Sequence, residues 1–410
     1  MAKSYVTEFV ENVNKSRKNM INALKNKGAF AQSNDTLDAL TQRINNLGTS
    51  SDYPTYERDA NLPDIDTIFD NDPLRAVNGG EFIYVAYALV RLPYNNTATF
   101  SYATNSSVSK IVWSDGTEDK VTSKIIGDNG IYTATNGEKF CVCQIYYTKD
   151  VISGYTTNID SYVPAFSYEI IWDASKYCNI GTLYLRYLRF VGSFSTIENP
   201  LQWSTFIGGG VQSPYNISCV RIDGYYSSTS IGSSSSYELP LETLIINGTG
   251  VSSTPVNVVG KNSVIKLKKL VLGNTVSATT STVTPQYVLE LFVSDSVSLL
   301  GSTATASRYW SSTIRKMHLG NGLTKIDSQY FYALEDLTLS EGTFGINTSA
   351  YTLDFSLSQN LSRQSVLNLF NNLADRTGMT ANVLKLSTFT KTLVTDEEKA
   401  ILTSKNWTLS

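Results

Sequence analysis

The residue type best suited to catalysis occurs once in this sequence, as His318. Histidine is the usual general base and a common metal ligand near neutral pH, so a single copy rules out a histidine cluster for a metal ion. His318 stands between Met317 and Leu319 in "RKMHLGN". If those neighbours face a core, alternation along a strand turns His318 outward. We interpret it as a solvent-facing strand residue, and we predict no catalytic residue and no enzyme.

The four cysteines are the next reactive groups, and Cys141 and Cys143 lie two positions apart in "KFCVCQIYY". In a strand, residues at this spacing share a face. The spacing is not C-x-x-C, and no second metal half-site follows. The sequence therefore favours buried free thiols for Cys141, Cys143, Cys178 and Cys219 over a disulfide or a metal site.

Carboxylates cluster loosely in "LPDIDTIFDNDP", which contains Asp64, Asp66, Asp70 and Asp72. Carboxylate oxygens are the ligands that calcium prefers, but the segment lacks the D-x-D-x-D-G loop of a calcium site. With five further Pro and Gly residues between 51 and 80, the segment is predicted to be a solvated linker. We expect no metal and no cofactor.

Aromatic side chains between the predicted strands are the candidate binding residues. Flat rings stack on sugar faces and bury a large area at a low cost in conformational entropy. The alternative for some of them is a place in the protein interior. The candidates for contact with a glycan or a protein are Tyr225, Tyr226, Tyr309, Trp310 and Tyr332.

The composition favours a β-rich surface protein. The 410 residues include 49 Ser, 44 Thr and 25 Tyr, and only 17% are charged, against about 25% in an average soluble chain. A net charge of −3 argues against nucleic-acid binding. There is no 18-residue apolar stretch for membrane insertion and no apolar signal region at the start. A virion protein is released by lysis, so we expect it to combine the composition of a surface protein with the lack of an export signal.

Residues 1–50 are predicted to form an α-helical hairpin, because apolar residues recur at helical spacing from Val6 to Leu24 and again from Leu37 to Leu47. A hairpin of this length cannot bury both apolar stripes alone. We expect it to attach to other virion proteins or to copies of itself, with docking on the chain's own β region as the alternative. Residues 81–178 show short strands and turn signals at Asp115-Gly116 and Asn136-Gly137, which predict a β-sandwich.

A repeat dominates residues 179–410. The segments "LETLIING", "LKKLVLGN", "VLELFVSD", "IRKMHLGN" and "LEDLTLSE" begin 26, 21, 26 and 20 residues apart. This L-x-x-L-x-L recurrence predicts a leucine-rich-repeat-like solenoid with parallel strands; an antiparallel sandwich with similar strands is the alternative. The end of the chain predicts a small helical cap, with a helix from Ser362 to Gly378 and a capping box of Thr395 and Glu398.

The last 55 residues resemble the C-terminal cap of BspA-like leucine-rich-repeat proteins of gut bacteria, including Bacteroides, and their phages. The resemblance lies in Ser362, Ser365, "NNLADRTG" at 371–378, "TDEEKAI" at 395–401 and "KNWTL" at 405–409. "NALKNKGAFAQSNDTLDALTQRINNL" is similar to the N-terminal helical module of phage tail-fibre and baseplate proteins, and "IVWSDGTED" to a W-x-D-G-T turn of their β-sandwich modules.

The resemblance implies a phage tail or head fibre in the virion, anchored by its N-terminus, with its repeat domain presented to the host surface. Phage fibres favour three-fold symmetry, so a homotrimer is expected. A bacterial cell-surface leucine-rich-repeat adhesin is the alternative. A glycan-degrading fibre would need a pair of catalytic carboxylates, which the sequence does not locate.

Overall fold

The computed structural model describes about three fifths of the chain. Of the predicted N-terminal hairpin, only residues 13–18 are described, and these are helical. The described residues are 13–18, 56–82, 85–99, 108–119, 123–147, 166–173, 185–193, 217–226, 229–230, 241–247, 249–250, 256–257, 266–273, 287–295, 297, 299–300, 312–323, 325–326, 331–345 and 349–410.

Strands predominate in the described residues. The α-helices are α1 (Ile65–Asn71), α2 (Arg363–Asn372), α3 (Thr388–Thr392) and α4 (Asp396–Ser404). None of these described helices has the length and apolar character needed to cross a membrane. The strands are β1 (Val85–Arg91), β2 (Thr97–Thr99), β3 (Val108–Trp113), β4 (Ser123–Ile125), β5 (Tyr132–Thr133), β6 (Lys139–Tyr147), β7 (Ser167–Asp173), β8 (Tyr187–Phe190), β9 (Cys219–Ile222), β10 (Tyr225–Tyr226), β11 (Thr229–Ser230), β12 (Thr243–Ile246), β13 (Thr249–Gly250), β14 (Val256–Asn257), β15 (Lys266–Leu272), β16 (Tyr287–Val293), β17 (Leu299–Leu300), β18 (Lys316–Leu319), β19 (Lys325–Ile326), β20 (Asp336–Leu339), β21 (Thr352–Phe355), β22 (Asn382–Leu386) and β23 (Trp407–Leu409).

Twelve strands form one mixed sheet in the order β20-β18-β16-β15-β12-β9-β8-β7-β1-β6-β3, with β5 beside β6. Strand β7 joins its two halves, because it pairs antiparallel with β1 and parallel with β8. The strands that the sequence assigned to a separate sandwich therefore share a sheet with the repeat strands. Strands β2 and β4 form a separate two-stranded antiparallel sheet. Its residue Ala98 packs in the hydrophobic core of the large sheet.

The repeat strands pair in parallel, as the sequence predicted. Thr243 pairs with Lys269, Lys269 with Glu290, Glu290 with Lys316, and Lys316 with Asp336. These pairs reproduce the spacings of 26, 21, 26 and 20 residues found in the sequence. The hydrophobic pattern fixes this register, because a slip of one residue would turn every core side chain toward the other face of the sheet.

The sheet has two faces, which we call inner and outer. The inner face holds the first, fourth and sixth residues of each repeat, such as Leu241, Leu244 and Ile246, in the main hydrophobic core. On the outer face, a second core forms where α1 covers the antiparallel strands and β7 to β9. Strand β1 is therefore buried on both faces, which explains its unbroken apolar run.

Helix α2 closes the free edge of the large sheet. Ser365 Oγ and Asn368 Oδ1 accept the backbone N–H groups of Leu337 and Leu339 at 2.9 and 2.7 Å, where a further strand would pair. A sheet edge left open is a site for unwanted pairing, so α2 acts as an edge cap. Ser365 is one of the residues that carry the resemblance to a repeat cap, and its side chain completes the hydrogen bonding of the edge strand.

The predicted helix signals at the C-terminus are confirmed in part. Ser362 caps α2, and Thr395 and Glu398 form the predicted capping box on α4. The predicted end of the first helix at Gly378 is wrong, because α2 ends at Asn372. Gly378, at φ 81°, belongs to a later turn that favours glycine. Beyond it, β21, β22 and β23 form a separate parallel sheet.

Candidate binding surface

The aromatic residues predicted from the sequence fall in three different settings. Tyr225 and Tyr226 form β10, which pairs in parallel with β13. Tyr309 and Trp310 lie outside the described residues. Tyr332 is 48% exposed and directly follows Phe331, which is buried in the core. The structure therefore places Tyr332 at the surface of the described part of the chain.

Two apolar side chains that the sequence did not single out are also exposed, in segments that are linked by hydrogen bonds to the segment of Tyr332. Leu357 is 38% exposed and Phe389 is 58% exposed. In these links, Ser358 Oγ donates to the carbonyl of Phe331 at 2.8 Å, and Thr390 Oγ1 donates to the carbonyl of Ser358 at 3.4 Å. We call Tyr332, Leu357 and Phe389 the apolar row.

Local structure explains why each member of the apolar row points outward. Leu357 lies in a tight turn, in which the N–H of Ser358 bonds to the carbonyl of Phe355 at 3.0 Å. Phe389 lies in α3. The next residue, Thr390, is buried, and its backbone N–H donates to the side chain of the N-cap residue Ser387. Consecutive helix residues point in different directions, so burial of Thr390 turns Phe389 toward solvent.

His318 lies on the outer face of the sheet, as its strand position predicted, but it is half-buried there rather than solvent-facing. Its ring stacks on Phe292 with centroids 4.5 Å apart, and its Nδ1 lies 2.9 Å from Thr338 Oγ1. Burial lowers the pKa of His318 to about 4, against a smaller opposing effect of Asp295. The side chain is therefore neutral at pH 7 and packs as an aromatic residue.

A row of alternating charge crosses the outer face beside His318. Lys269, Glu290, Lys316 and Asp336 are consecutive partners across four neighbouring strands. The Lys269 ammonium lies 3.4 Å from the Glu290 carboxylate. Opposite charges on adjacent strands favour the observed register.

The segment predicted to be a solvated linker is instead packed on the sheet. Arg58 donates from Nε to Glu169 of β7 at 2.6 Å and from Nη2 to Asp66 at 3.0 Å, and it also pairs with Asp64. Glu169 is fully buried. One guanidinium therefore joins the start of α1 to the middle of β7.

A second arginine repeats this arrangement one strand further along. Arg189 of β8 donates to Asp66 at 2.8 Å and to Asp223 at 2.8 Å, and it contacts Asp70 at 3.2 Å. Arg221 of β9 also pairs with Asp223, at 3.1 Å. Of the carboxylates that the sequence marked as a loose cluster, Asp66 and Asp70 therefore contact an arginine of β8.

Arg75 completes the connection at the end of the same segment. It donates to Asp173 of β7 at 2.9 Å and lies over the Phe69 ring, 3.6 Å from its centroid. Asp72 is buried and accepts hydrogen bonds from Tyr87 and Tyr146. We call the paired set the ionic clasp: Arg58, Asp66, Arg75, Glu169, Asp173, Arg189 and Asp223.

Burial and charge act in opposite directions on the two central carboxylates of the clasp. For Glu169, burial dominates and raises the pKa to about 7, although Arg58 opposes the rise. For Asp66, burial would raise the pKa, but Arg189 and Arg58 together lower it. The sequence did not single out Arg189 and Arg221, although both stand at outward positions of repeat strands.

The described cysteines are buried free thiols, as predicted: Cys141, Cys143 and Cys219. Cys141 and Cys143 share the inner face, and burial raises the pKa of Cys141 to about 12. Both thiols are therefore protonated at neutral pH and unreactive. Cys178 lies outside the described residues.

Within the described part of the chain, no three His, Cys, Asp or Glu side chains come together as a metal site. Of the carboxylates considered for calcium, Asp64, Asp66 and Asp70 contact arginines, and Asp72 accepts hydrogen bonds from two tyrosines. Comparison of the sequence and fold with protein-family models, curated proteins and solved structures gives no match.

Proposed function

We propose that this chain is a non-enzymatic phage virion protein, a tail or head fibre. Residues 1–50 attach it to other virion proteins and to copies of itself, with a homotrimer as the expected assembly. The repeat domain faces the host surface and binds a glycan or a protein there. The observation that carries the proposal is the continuous parallel ladder from β7 to β20, which provides a long, stiff surface.

We propose further that this ladder is one wall of a leucine-rich-repeat-like solenoid. Short parallel pairs accompany the main strands: β10 with β13, β11 with β14, and β17 with β19. Thr229 pairs with Val256 and Leu299 with Lys325, at separations close to those of the main strands. A second set of parallel pairs with the same period is expected where each repeat makes one turn.

The ionic clasp supports a role that carries load. A fibre must transmit force from its attachment point to the part that binds the host. The clasp ties residues 58 to 75 to β7 and β8 by buried ion pairs. The segment that leads toward the proposed attachment module is therefore fixed to the first strands of the repeat surface.

The arrangement of ionisable groups supports the non-enzymatic part of the proposal. Glu169 has a raised pKa, as catalytic acids often do. Its carboxylate, however, is fully buried and bonded to Arg58. This geometry suits an element that holds a chain segment in place.

Mass spectrometry of purified particles tests the proposal first, because a fibre must be present in them. Adsorption to host cells is then measured for particles with the full-length chain and for particles carrying Phe389→Ala. Truncation after residue 180 is a poor alternative, because it removes β8 and with it Arg189 of the clasp. Absence from particles, with recovery of the chain on a bacterial surface, would favour the adhesin.

A further inference from the structure

The hairpin turn between β5 and β6 contains an asparagine followed by a glycine, Asn136-Gly137, and both residues are exposed. Gly137 has a φ of 84°, a conformation that favours glycine. No atom lies within 4 Å of the position that a Cβ of Gly137 would take. The backbone nitrogen of Gly137 is therefore open to solvent on the side where other residues carry a side chain.

The side chain of Asn136 is bonded through its oxygen alone. Asn136 Oδ1 accepts the backbone N–H of Glu138 at 3.0 Å, the bond of an Asx turn. Within the described part of the chain, its amide nitrogen Nδ2 donates to no other group. A positioned N–H stabilises negative charge that develops on an oxygen. Glu138 thus favours attack on the side-chain carbonyl of Asn136, while the nitrogen is free to leave.

A second exposed pair, Asn78-Gly79, differs from this turn mainly in its side chain. Gly79 has a φ of 94° and equally open surroundings. In both turns the glycine N–H donates to the carbonyl three residues earlier, at 3.0 Å for Gly79 and 2.8 Å for Gly137. Asn78 Nδ2, however, donates to the carbonyls of Asp70 and Asp72 at 3.0 and 2.8 Å. The side-chain nitrogen is therefore held in this turn and not in the other.

The other Asn-Gly pairs that the structure describes, Asn129-Gly130 and Asn321-Gly322, are closely packed. The Cβ positions of their glycines lie 2.4 Å from the nitrogen of Asp115 and 1.9 Å from the carbonyl oxygen of Asp295. Each asparagine also donates through Nδ2 to a backbone carbonyl, at 3.4 and 3.3 Å. Asn136 is thus the least restrained asparagine of the described pairs.

We propose that Asn136 is a site of spontaneous deamidation. When the turn opens locally, a solvent base takes the proton of the Gly137 N–H, and the nitrogen attacks Cγ of Asn136. The bond from Cγ to Nδ2 breaks, Nδ2 leaves as ammonia, and a succinimide ring remains. Water then adds to one of the two ring carbonyls and breaks its bond to the ring nitrogen. The amide and one water molecule become a carboxylate and an ammonium ion, and the residue becomes aspartate or isoaspartate.

The modified turn adjoins a contact of the segment that precedes α1. Thr135 donates to the Asp59 carboxylate from its backbone N–H at 2.9 Å and from Oγ1 at 3.0 Å. Isoaspartate at position 136 lengthens the backbone of the turn by a methylene group, and either product adds a negative charge to the turn that Asp59 contacts. Deamidation therefore loosens a link between residues 56–82 and the sheet as the protein ages.

Peptide mapping by mass spectrometry tests this site on the purified full-length chain, incubated in mildly alkaline buffer. Asn78 must break two hydrogen bonds before its nitrogen leaves, so we expect conversion at Asn136 to be faster by about tenfold or more. In guanidinium chloride, which unfolds both turns, the two rates should converge. Asn136→Gln needs a larger ring for the same attack and should abolish conversion at position 136 while conversion at Asn78 stays unchanged.

Conversion at Asn78 that is as fast as conversion at Asn136 in the folded chain would overturn the proposal. A rate ratio that guanidinium chloride leaves unchanged would do the same, because the difference would then come from the local sequence and not from the turn. An Asn136 that stays intact in the folded chain while the unfolded chain converts would show that the hairpin protects the site.

Discussion

The outer face of the large sheet differs between its two ends. Over β7 and β8, α1 covers the face, and Arg58 and Arg189 bring buried charges into contact with the carboxylates of the clasp. Over β16 to β20, the described outer-face side chains include exposed Lys316 and Asp336. The same strand geometry thus supports a covered, ion-paired end and an end that presents side chains.

The difference follows from what lies at the outward positions of each strand. One line of outward residues is paired from strand to strand across the sheet. Arg189 and Arg221 stand on this line at the covered end, and Phe292 and Thr338 stand on it further along. Arginine attracts the acidic segment around Asp66, whereas a mixture of opposite charges and small polar groups satisfies itself within the sheet. The attachment of α1 therefore depends on a few outward residues, while the repeat core is alike at both ends.

The largest expected effect comes from opening the clasp. Arg189→Met leaves Asp66 and Asp223 without their shared buried partner, and we expect the free energy of unfolding to fall by about 3–5 kcal/mol. Arg315→Ala is the control, because its pair with Glu335 at 3.8 Å is exposed, and we expect a loss below about 1 kcal/mol. Urea denaturation measures both; equal losses would show that the clasp contributes no more than a surface pair.

The pH dependence of the covered end is the next test. The pKa of Glu169 is about 7 in the folded chain and lies near 4.5 in the unfolded chain. A raised pKa contributes stability below pH 4.5 that is lost as the pH rises through 7, with a slope of at most about 1.4 kcal/mol per pH unit. We expect Glu169→Gln to remove this slope. A melting-temperature series from pH 4.5 to 7.5 with the same slope in both proteins would refute it.

Asn368 tests the edge cap at the open end. Asn368→Ala leaves the buried N–H of Leu339 without its acceptor, at an expected cost of about 1–3 kcal/mol. Asn371→Ala, in the same helix but exposed, should change stability little, because alanine is the better helix former. If both variants unfold at the same urea concentration, the side chain of Asn368 does not complete the ladder.

His318 gives the open end a pH dependence of opposite sign. Its pKa is about 4 in the folded chain, below the ordinary value of 6.5. The unfolded chain therefore takes up the proton first, and stability is lost as the pH falls from 6.5 toward 4. We expect His318→Gln to keep its melting temperature better than the wild type over that range. A parallel decline in both would exclude His318 as the source.

The smallest effect should come from the row of alternating charge. Glu290→Lys places three lysines on adjacent strands, between Lys269 and Lys316, and we expect a loss of about 0.2–1 kcal/mol. Glu290→Gln removes the attraction without adding repulsion and should cost less. The ranking is measured by urea denaturation at low salt and should shrink at high salt; an unchanged difference would argue against an electrostatic cause.

The sequence predicted the elements whose signals are local or periodic. The repeat spacing predicted the strand register. Cys141 and Cys143 lie on one face of the sheet, as predicted, and Ser362 and Thr395 cap their helices where the sequence placed them. Each of these depends on the period of a strand or helix or on bonds within a few residues.

The sequence could not show which distant residues meet. Asp66 contacts Arg189 across 123 positions, and the three members of the apolar row come from separate turns. A signal existed for the clasp: an acidic segment alongside repeat strands with outward arginines. No comparable signal marked Leu357 or Phe389, because their exposure depends on which neighbouring residue the core takes up.

Hydrogen exchange on the unmodified full-length chain tests most directly whether residues 58 to 75 are part of the folded sheet unit. The helix amides of Ile68 and Phe69 and the amide of Arg75 should be protected to the same level as those of β7 and β8, because the clasp opens only when the sheet does. Exchange of these amides at the rate of an open linker, with β7 still protected, would contradict the clasp and the continuous load path that we propose.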